Sequence, residues 1–526
     1  MSELGDSKVI TADEAAGLIA DGATVLVDGS GGGVNEPDLV LRAIELRFKA
    51  RGEPRDLTVV HPAGIGDGHG GGVDRFAHDG LVRRVIGGHW GWSPGLQAMA
   101  RDELLEAYCL PQGVMSQLLR SIAAGAPGLI SHIGLGTFVD PRIEGGRLND
   151  RAREQLVELI ELGGREWLLY KTFRVDVAVI RGSWADEEGN IVMDHEGLYA
   201  EALSAAQAAK NSGGVVVAQV KSLCGAGDID PRRVKVPGLL VDALVINPRQ
   251  RLSCATGMDP TLVGEQRASM NGVAPLGLTA RKVIARRAAK ELRLRDTVNL
   301  GFGMPDGVAA VLAEEGSADQ VTFTVEQGHI GGIPATGTDF GLARNQAAMV
   351  DAGYQFDWYD GGGLDVAVLS FAEVDAAGNV NVSRFGGRMP GIGGFVNISQ
   401  GAGRIVFVGT FMAGKEQRLR FGDGVRIERE GDACKFVPRV EQISFSSEYA
   451  RRTGQSVKYV TERAVFELDE DGLVVTEVAP GVDLAQDVLS LMGFVPRVSD
   501  HLEEMEVGLF APQPMGLRLA PIEAVR

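Results

Sequence analysis

The sequence predicts an α/β fold made of two homologous halves, each an open, largely parallel sheet covered by helices. Three observations carry that reading. Short β-branched runs alternate with helical patterns, as in residues 12–19 before Thr24-Val25-Leu26-Val27 and residues 280–292 before Thr297-Val298-Asn299-Leu300, the arrangement of parallel sheets. The chain also repeats itself. Val175-Asp176-Val177-Ala178-Val179-Ile180, followed by Gly189-Asn190-Ile191, aligns without a gap on Leu364-Asp365-Val366-Ala367-Val368-Leu369, followed by Gly378-Asn379-Val380, at an offset of 189 residues. Residues 213–218 match 403–408 at nearly that offset. Third, the chain holds 72 glycines in 526 residues, nearly twice the usual share of roughly 7%, and they cluster after apolar runs where strand-to-helix turns are expected.

These patterns place strands near 23–28, 57–60, 84–87, 128–131, 175–181 and 214–219 in the first half. In the second half they fall near 297–301, 321–325, 365–370 and 404–410. The tail is predicted to form a β-hairpin turning at Asp469-Glu470-Asp471-Gly472, with a helix capped by Asp483 after it. The length calls for more than one core. The expected domains are residues 1–255 and 278–526, joined by a loop-like linker over 256–277.

A formal net charge of −18 argues against nucleic acid or an anionic membrane as a partner. The four cysteines, Cys109, Cys224, Cys254 and Cys434, are far apart and lack a C-x-x-C spacing, which fits a reducing compartment. The amino terminus is polar and acidic, unlike a signal peptide, and no apolar run nears the ~20 residues that span a bilayer. The expected location is cytoplasmic. The eight histidines show no metal-ligand spacing, and no metal is expected; His61, His69 and His78 fall in a glycine-rich loop where a structural or solvated role suffices. There is no nucleophile-elbow serine and no phosphate-loop lysine.

The segment richest in chemistry is Val325-Glu326-Gln327-Gly328-His329-Ile330-Gly331-Gly332. Glu326 ends a β-branched run and is followed by glycines that allow a ligand to approach the backbone. The carboxyl end of such a strand is where open α/β sheets bind substrates. Pro111-Gln112-Gly113 lies at a strand-like end in the first half and is read as the counterpart without a carboxylate. Gln112 is then either an oxyanion donor to chemistry at Glu326 or a plain turn residue. The glycine-rich turns at 28–33 and 301–304 either contact an anionic ligand or serve only as tight turns. Backbone amides of Gly391, Gly393 and Gly394 are further donor candidates. Trp90, Trp92, Phe138 and His329 are candidates for a substrate pocket.

VEQGHIGGIPATGTDFG (325–341) resembles the catalytic segment of the family I coenzyme A transferases, in particular the fused two-domain acetate and propionate CoA-transferases. GGHWGWSP (87–94), YCLPQGVMSQLLR (108–120), IGLGTFVDPR (133–142), FDWYDGGGLDVAVLSFAEVD (356–375), MPGIGGFVNIS (389–399) and the segment 459–484 are similar to the same subgroup, so the resemblance covers nearly the whole chain. It implies CoA-transferase-type α/β domains and CoA transfer between a short-chain acyl-CoA and a free carboxylic acid such as acetate. Glu326 is implied as the covalent carrier of CoA, Gln112, Gly393 and Gly394 as part of an oxyanion hole, and Gly301, Phe302, Gly303 and Met304, with Gly391 and Gly393, as CoA contacts. No tightly bound cofactor is implied; CoA is both substrate and covalent carrier. Acyl-CoA and small carboxylic acids are the implied partners, with a homo-oligomer, dimer or tetramer, as the assembly. Members of the subgroup often carry proline or threonine at the position of Gln327 and proline at that of His329; both positions border the nucleophile, so the departure bears on acyl preference and not on the reaction type. Two rival readings share the scaffold: an acyl-CoA hydrolase, and a non-catalytic acyl-CoA sensor.

Overall fold

The computed structural model describes residues 7–269 and 275–521; part of the expected linker, residues 270–274, lies outside the described residues. Two large sheets dominate. The first contains seven parallel strands: β1 (Thr24–Val27), β2 (Leu57–His61), β3 (Val82–Gly87), β4 (Glu106–Cys109), β5 (Val177–Asp186), β6 (Val215–Cys224) and β7 (Ala243–Ile246). Their order is β7-β6-β5-β1-β2-β3-β4. The second sheet is built on β8 (Thr297–Leu300), β9 (Thr322–Val325), β10 (Leu364–Ser370), β11 (Ala402–Val408) and β12 (Ser456–Val460), in the order β12-β11-β10-β8-β9 and all parallel. Beyond β12 it continues into β13 (Ala464–Asp469) and β14 (Gly472–Val478), which form the expected hairpin with Asp469 opposite Gly472.

The repeat is written into the strand register. Val25 on β1 faces Val177 on β5, while Val298 on β8 faces Val366 on β10. Val177 in turn faces Val215, and Val366 faces Arg404, so the 189-residue offset holds across two strands. The same register corrects one expectation. Thr24 pairs with Thr58 and Thr297 with Thr322, which makes Pro62, just past β2, the counterpart of Glu326. Gln112 follows β4, two strands further out, and is no pseudo-equivalent of Glu326.

The halves diverge at β9. In the first half the chain leaves β2 by a crossover to parallel β3. In the second, it reverses at once after β9: the Gly328 N–H donates to the Val325 carbonyl at 2.9 Å, and Val325 pairs antiparallel with His329. Glu326 and Gln327 are therefore the two central residues of a tight turn. Gly328 is required there, with φ +118° and a hypothetical Cβ only 2.0 Å from the Val350 carbonyl oxygen.

Burial follows from two-sided packing. On β10, Ala367 and Leu369 join a core continuous with the first half, while Val366 and Val368 join a second core under the helices Ala280–Ala289 and Gly307–Glu314. Strands covered on both faces read as unbroken apolar runs, which is why they were visible in sequence. Gly128–Ser131 is a strand as expected but belongs to neither large sheet. It pairs antiparallel with Arg165–Lys171 in a separate three-stranded sheet, because its half-exposed residues offer only one face to a core. Asp483 caps a helical turn as expected, accepting from the Gln486 N–H at 2.9 Å, but the turn is π-wound and only five residues long. The linker segment is packed, with Leu262 and Val263 buried against Val34, Leu198 and Leu342.

Candidate active site

A cavity of about 910 Å³ opens where the halves meet, and Glu326 is in its wall. Main-chain hydrogen bonds stitch the junction: the Gln112 N–H donates to Gly393 at 2.9 Å, Gly393 N–H to Gly88 at 2.7 Å, and Trp90 N–H to Pro390 at 2.7 Å. Side chains add to it, with Gln117 Nε2 donating to Asp360 at 2.8 Å and Asn397 Nδ2 donating to the same carboxylate at 2.9 Å. Both halves thus contribute to a single site.

The environment of Glu326 is unusual for a carboxylate. It is 7% exposed. Its two side-chain contacts are long: Asn299 Nδ2 to Oε2 at 3.5 Å and Gln327 Nε2 to Oε1 at 3.4 Å, against 2.7–3.2 Å for a well-formed bond. Burial raises its pKa above the ordinary 4.5, and a backbone N–H donor at Glu326, followed by these weak side-chain donors, offsets only part of that effect. A dehydrated, thinly bonded carboxylate is a stronger nucleophile than a solvated one. Asn299 is held in turn by Tyr359, whose hydroxyl donates to Thr324 Oγ1 at 2.6 Å. An asparagine inside a short buried parallel strand is the sequence signal that marks this position.

Gly394 lies directly against the nucleophile candidate: a Cβ there would sit 3.3 Å from Glu326 Cγ. Among the described residues no carbonyl accepts from the Gly394 N–H, so it is available to an oxyanion. The Gly393 N–H is already committed to Gly88, so of that pair only Gly394 retains a free amide, although Gly393 lines the cavity. Gln112 also lines the cavity, as the first residue of the helix Gln112–Ala123, 3% exposed.

Other expected residues divide. Gly301, Phe302 and Gly391 line the cavity. Gly303 and Met304 do not: the Gly303 carbonyl accepts from Arg281 at 3.1 Å, and Met304 packs on the second-half core. Of the turn at 28–33, Ser30 and Gly31 reach the cavity, while Gly32 and Gly33 pack against Thr338 and Cys254. Trp92 lines it. Trp90, Phe138 and His329 are buried outside the lining, committed to packing. Among the described residues no cluster of His, Cys, Asp or Glu has the makings of a metal site, and no helix is long and apolar enough to cross a membrane.

Several lining residues carry no local chemical signal of their own, although His89 and Phe340 lie within the segments 87–94 and 325–341. His89 is one, and desolvation pushes its pKa down to about 4, so its ring is neutral near pH 7. Phe340 is another. Lys435 is the only lysine or arginine among the described lining residues; its ammonium lies 5.4 Å from the centre of the Phe371 ring and donates to Thr410 Oγ1 at 3.2 Å. Burial lowers its pKa.

A profile of the family described as Coenzyme A transferase matches residues 9–247. The chain is 45% identical over 519 residues to the caffeate CoA-transferase of Acetobacterium woodii, spanning 97% of this chain and 99% of that one. It is 42% identical over 517 residues to the acetate CoA-transferase YdiF of Escherichia coli K12, spanning 98% and 97%. The crystal structure of the acyl-CoA transferase YdiF from E. coli O157:H7, a thioester complex with CoA, superposes with a TM-score of 0.94 at 41% identity, covering 98% of each chain. The chain belongs to the coenzyme A transferases, enzymes that move CoA between an acyl thioester and a free carboxylic acid, in their fused two-domain form.

Proposed function

We propose that Glu326 carries CoA through the reaction as a covalent thioester. The observation that carries this reading is the buried, weakly bonded Glu326 carboxylate facing a cavity between the halves, with an uncommitted amide at Gly394 beside it. The Glu326 carboxylate attacks the thioester carbonyl of the acyl-CoA and forms a tetrahedral oxyanion. Collapse breaks the C–S bond, leaving a mixed anhydride and CoA thiolate. The thiolate attacks the glutamyl carbonyl, giving glutamyl-CoA and the first carboxylate. A second carboxylate attacks glutamyl-CoA, the thiolate returns to the new acyl carbonyl, and Glu326 is regenerated.

No step in this sequence moves a proton. That suits a site whose lining histidine, His89, is held neutral by burial. What each step needs is charge stabilisation at an oxyanion, which the Gly394 N–H and the Gln112 amide supply, one such donor being worth on the order of 3 kcal/mol. Lys435 supplies the positive charge for the anionic parts of CoA. Two relatives act on acids of different size, caffeate and acetate, and this chain takes a short-chain acyl-CoA and a small acid as one of its pairs. The protein works in the cytoplasm as a homo-oligomer. The domain division at 255 and 278, with Glu326 in the second domain, belongs to the same reading.

Intact mass after incubation with acetyl-CoA and no acceptor tests the mechanism. A species heavier by CoA less one water, mapping to Glu326 and absent in Glu326→Ala, is expected. CoA released steadily without any acceptor indicates the hydrolase instead, and neither adduct nor turnover indicates the sensor. The rate of adduct formation carries a second expectation. Attack requires the ionised carboxylate, and burial holds the proton on Glu326 more tightly than in water. The rate therefore falls with decreasing pH around a midpoint above 4.5; a midpoint at or below 4.5 would count against a dehydrated nucleophile.

A further inference from the structure

Behind the cavity wall, two buried carboxyls that take no part in the reaction steps link the Gln112 helix to the turn at 28–33. Asp28 follows β1 and opens the turn whose Ser30 and Gly31 reach the cavity. Glu201, just ahead of the helix Ala202–Asn211, donates its N–H to Asp28 Oδ1 at 3.0 Å. Glu201 Oε1 lies 2.5 Å from Ser116 Oγ, and Ser116 is one turn along the helix that begins at Gln112. Asp28, Ser116 and Glu201 are all buried, and Asp28 Oδ2 has no partner.

Ser116 indicates where a proton sits. Its Oγ is also 3.0 Å from the Gln112 carbonyl oxygen. A hydroxyl has one hydrogen, so both contacts are hydrogen bonds only when Glu201 is protonated and donates to Oγ, leaving the hydroxyl to donate to Gln112. The surroundings favour a retained proton. Among the described residues neither carboxyl pairs with a lysine, arginine or histidine. Arg120, on the Gln112 helix, is committed to Asp357, and Arg181 on β5 to Glu196. The titratable group that faces Glu201 from the second half is a further carboxyl, Asp351, itself moderated by Lys235 and Arg120. Burial holds Asp28 well above the usual carboxylate range, with the Glu201 charge adding to the effect, and burial pushes Glu201 up to about 7. Two carboxyls so placed titrate as a pair.

We propose that Asp28 and Glu201 are positioning residues for CoA transfer: a carboxyl pair that shares one proton and, through Ser116, holds the start of the Gln112 helix and the turn at 28–33 in the geometry that stabilises the oxyanion. This rests on Gln112 as an oxyanion donor. Both carboxyls are raised by folding, so the shared proton is held at neutral pH and lost as pH rises. Its loss turns the Ser116 hydroxyl from the Gln112 carbonyl to Glu201. It also sets two negative charges about one helical turn behind Gln112, in a dehydrated region where they oppose the charge that develops on the oxyanion.

The experiment measures kcat at saturating propionyl-CoA and acetate from pH 6 to pH 9 in the wild type, Glu201→Gln and Asp28→Asn. The wild type is expected to lose activity around a midpoint above pH 7, by about tenfold at the alkaline end. Each variant retains one ionisable carboxyl, so it never exceeds the single charge with which the wild type is active, and it loses less than about twofold over the same range. Loss of charge on Lys435 at high pH appears in the KM for acyl-CoA and not in this kcat. Superimposable profiles overturn the proposal, as does a variant kcat lowered by the same factor at every pH, which marks a merely structural role. A wild-type kcat that stays level to pH 9 overturns it too. Either variant alone gives the readout if the other does not fold. Gln112→Ala at pH 7 separates the two levels of inference: a kcat near wild type there defeats the donor, whereas a lowered kcat there beside superimposable profiles defeats the pair alone.

Discussion

Replacing Glu326 with glutamine is expected to lower kcat by at least about 10⁴-fold, because the substitution removes the atom that forms the covalent bond and not merely a contact. The amide is nearly isosteric, so the turn and its contact with Gly394 persist and substrate binding is retained. The same variant should be more stable than the wild type at neutral pH. The folded state raises the pKa of Glu326, and the direction of linkage follows from that. A raised carboxyl pKa favours the folded state most below the unfolded value, roughly pH 4.3, and the benefit is lost as pH rises through the folded value. At pH 7 the ionised, buried carboxylate is a net cost, which glutamine removes. Thermal unfolding should show Tm higher by about 1 °C or more in Glu326→Gln at pH 7, with the gap closing toward pH 4. Residual transfer within about tenfold of wild type sinks the assignment; a lower Tm at pH 7 sinks the account of why this carboxylate is reactive.

The opposite demands on this side chain explain why the site was only partly legible in the sequence. Glu326 stood out because a charge at the end of a β-branched run breaks the apolar pattern, and the strand itself lies where expected. The reversal that follows, with Glu326 and Gln327 as turn residues, could be suspected from Gly328 but not fixed, since the same glycine allows a crossover. Gln112 was found by its place beside a strand end, yet its relation to Glu326 was misread. Strand order, and not proximity in sequence, decides pseudo-equivalence, and the register hands that role to Pro62. Lys435, Phe340 and His89 are loop residues brought to the cavity by tertiary packing alone, and no local period marks such positions. The repeat behaved differently. Its 189-residue offset survives as register because parallel pairing ties every residue of one strand to a fixed residue of the next.

Gln112→Ala is expected to lower kcat by about 10²- to 10³-fold with the KM for acyl-CoA moved by less than about threefold. The argument is geometric. The backbone of Gln112 is fixed by its N–H bond to Gly393, which the substitution leaves in place, and alanine is at least as favourable in a helix as glutamine. The loss is therefore confined to the side-chain amide. That amide is proposed to donate to an oxygen that becomes negative only as the tetrahedral intermediate forms, so its removal raises the barrier without loosening the ground state. Gln112→Glu should be slower still, since it sets a second negative charge where the oxyanion develops. The double variant Glu326→Gln with Gln112→Ala supplies the internal check. If Gln112 acts only on intermediates that Glu326 generates, the double variant is no slower than Glu326→Gln alone. Losses that multiply, or a kcat for Gln112→Ala within about threefold of wild type, would leave Gln112 as the turn residue that its sequence position also allows.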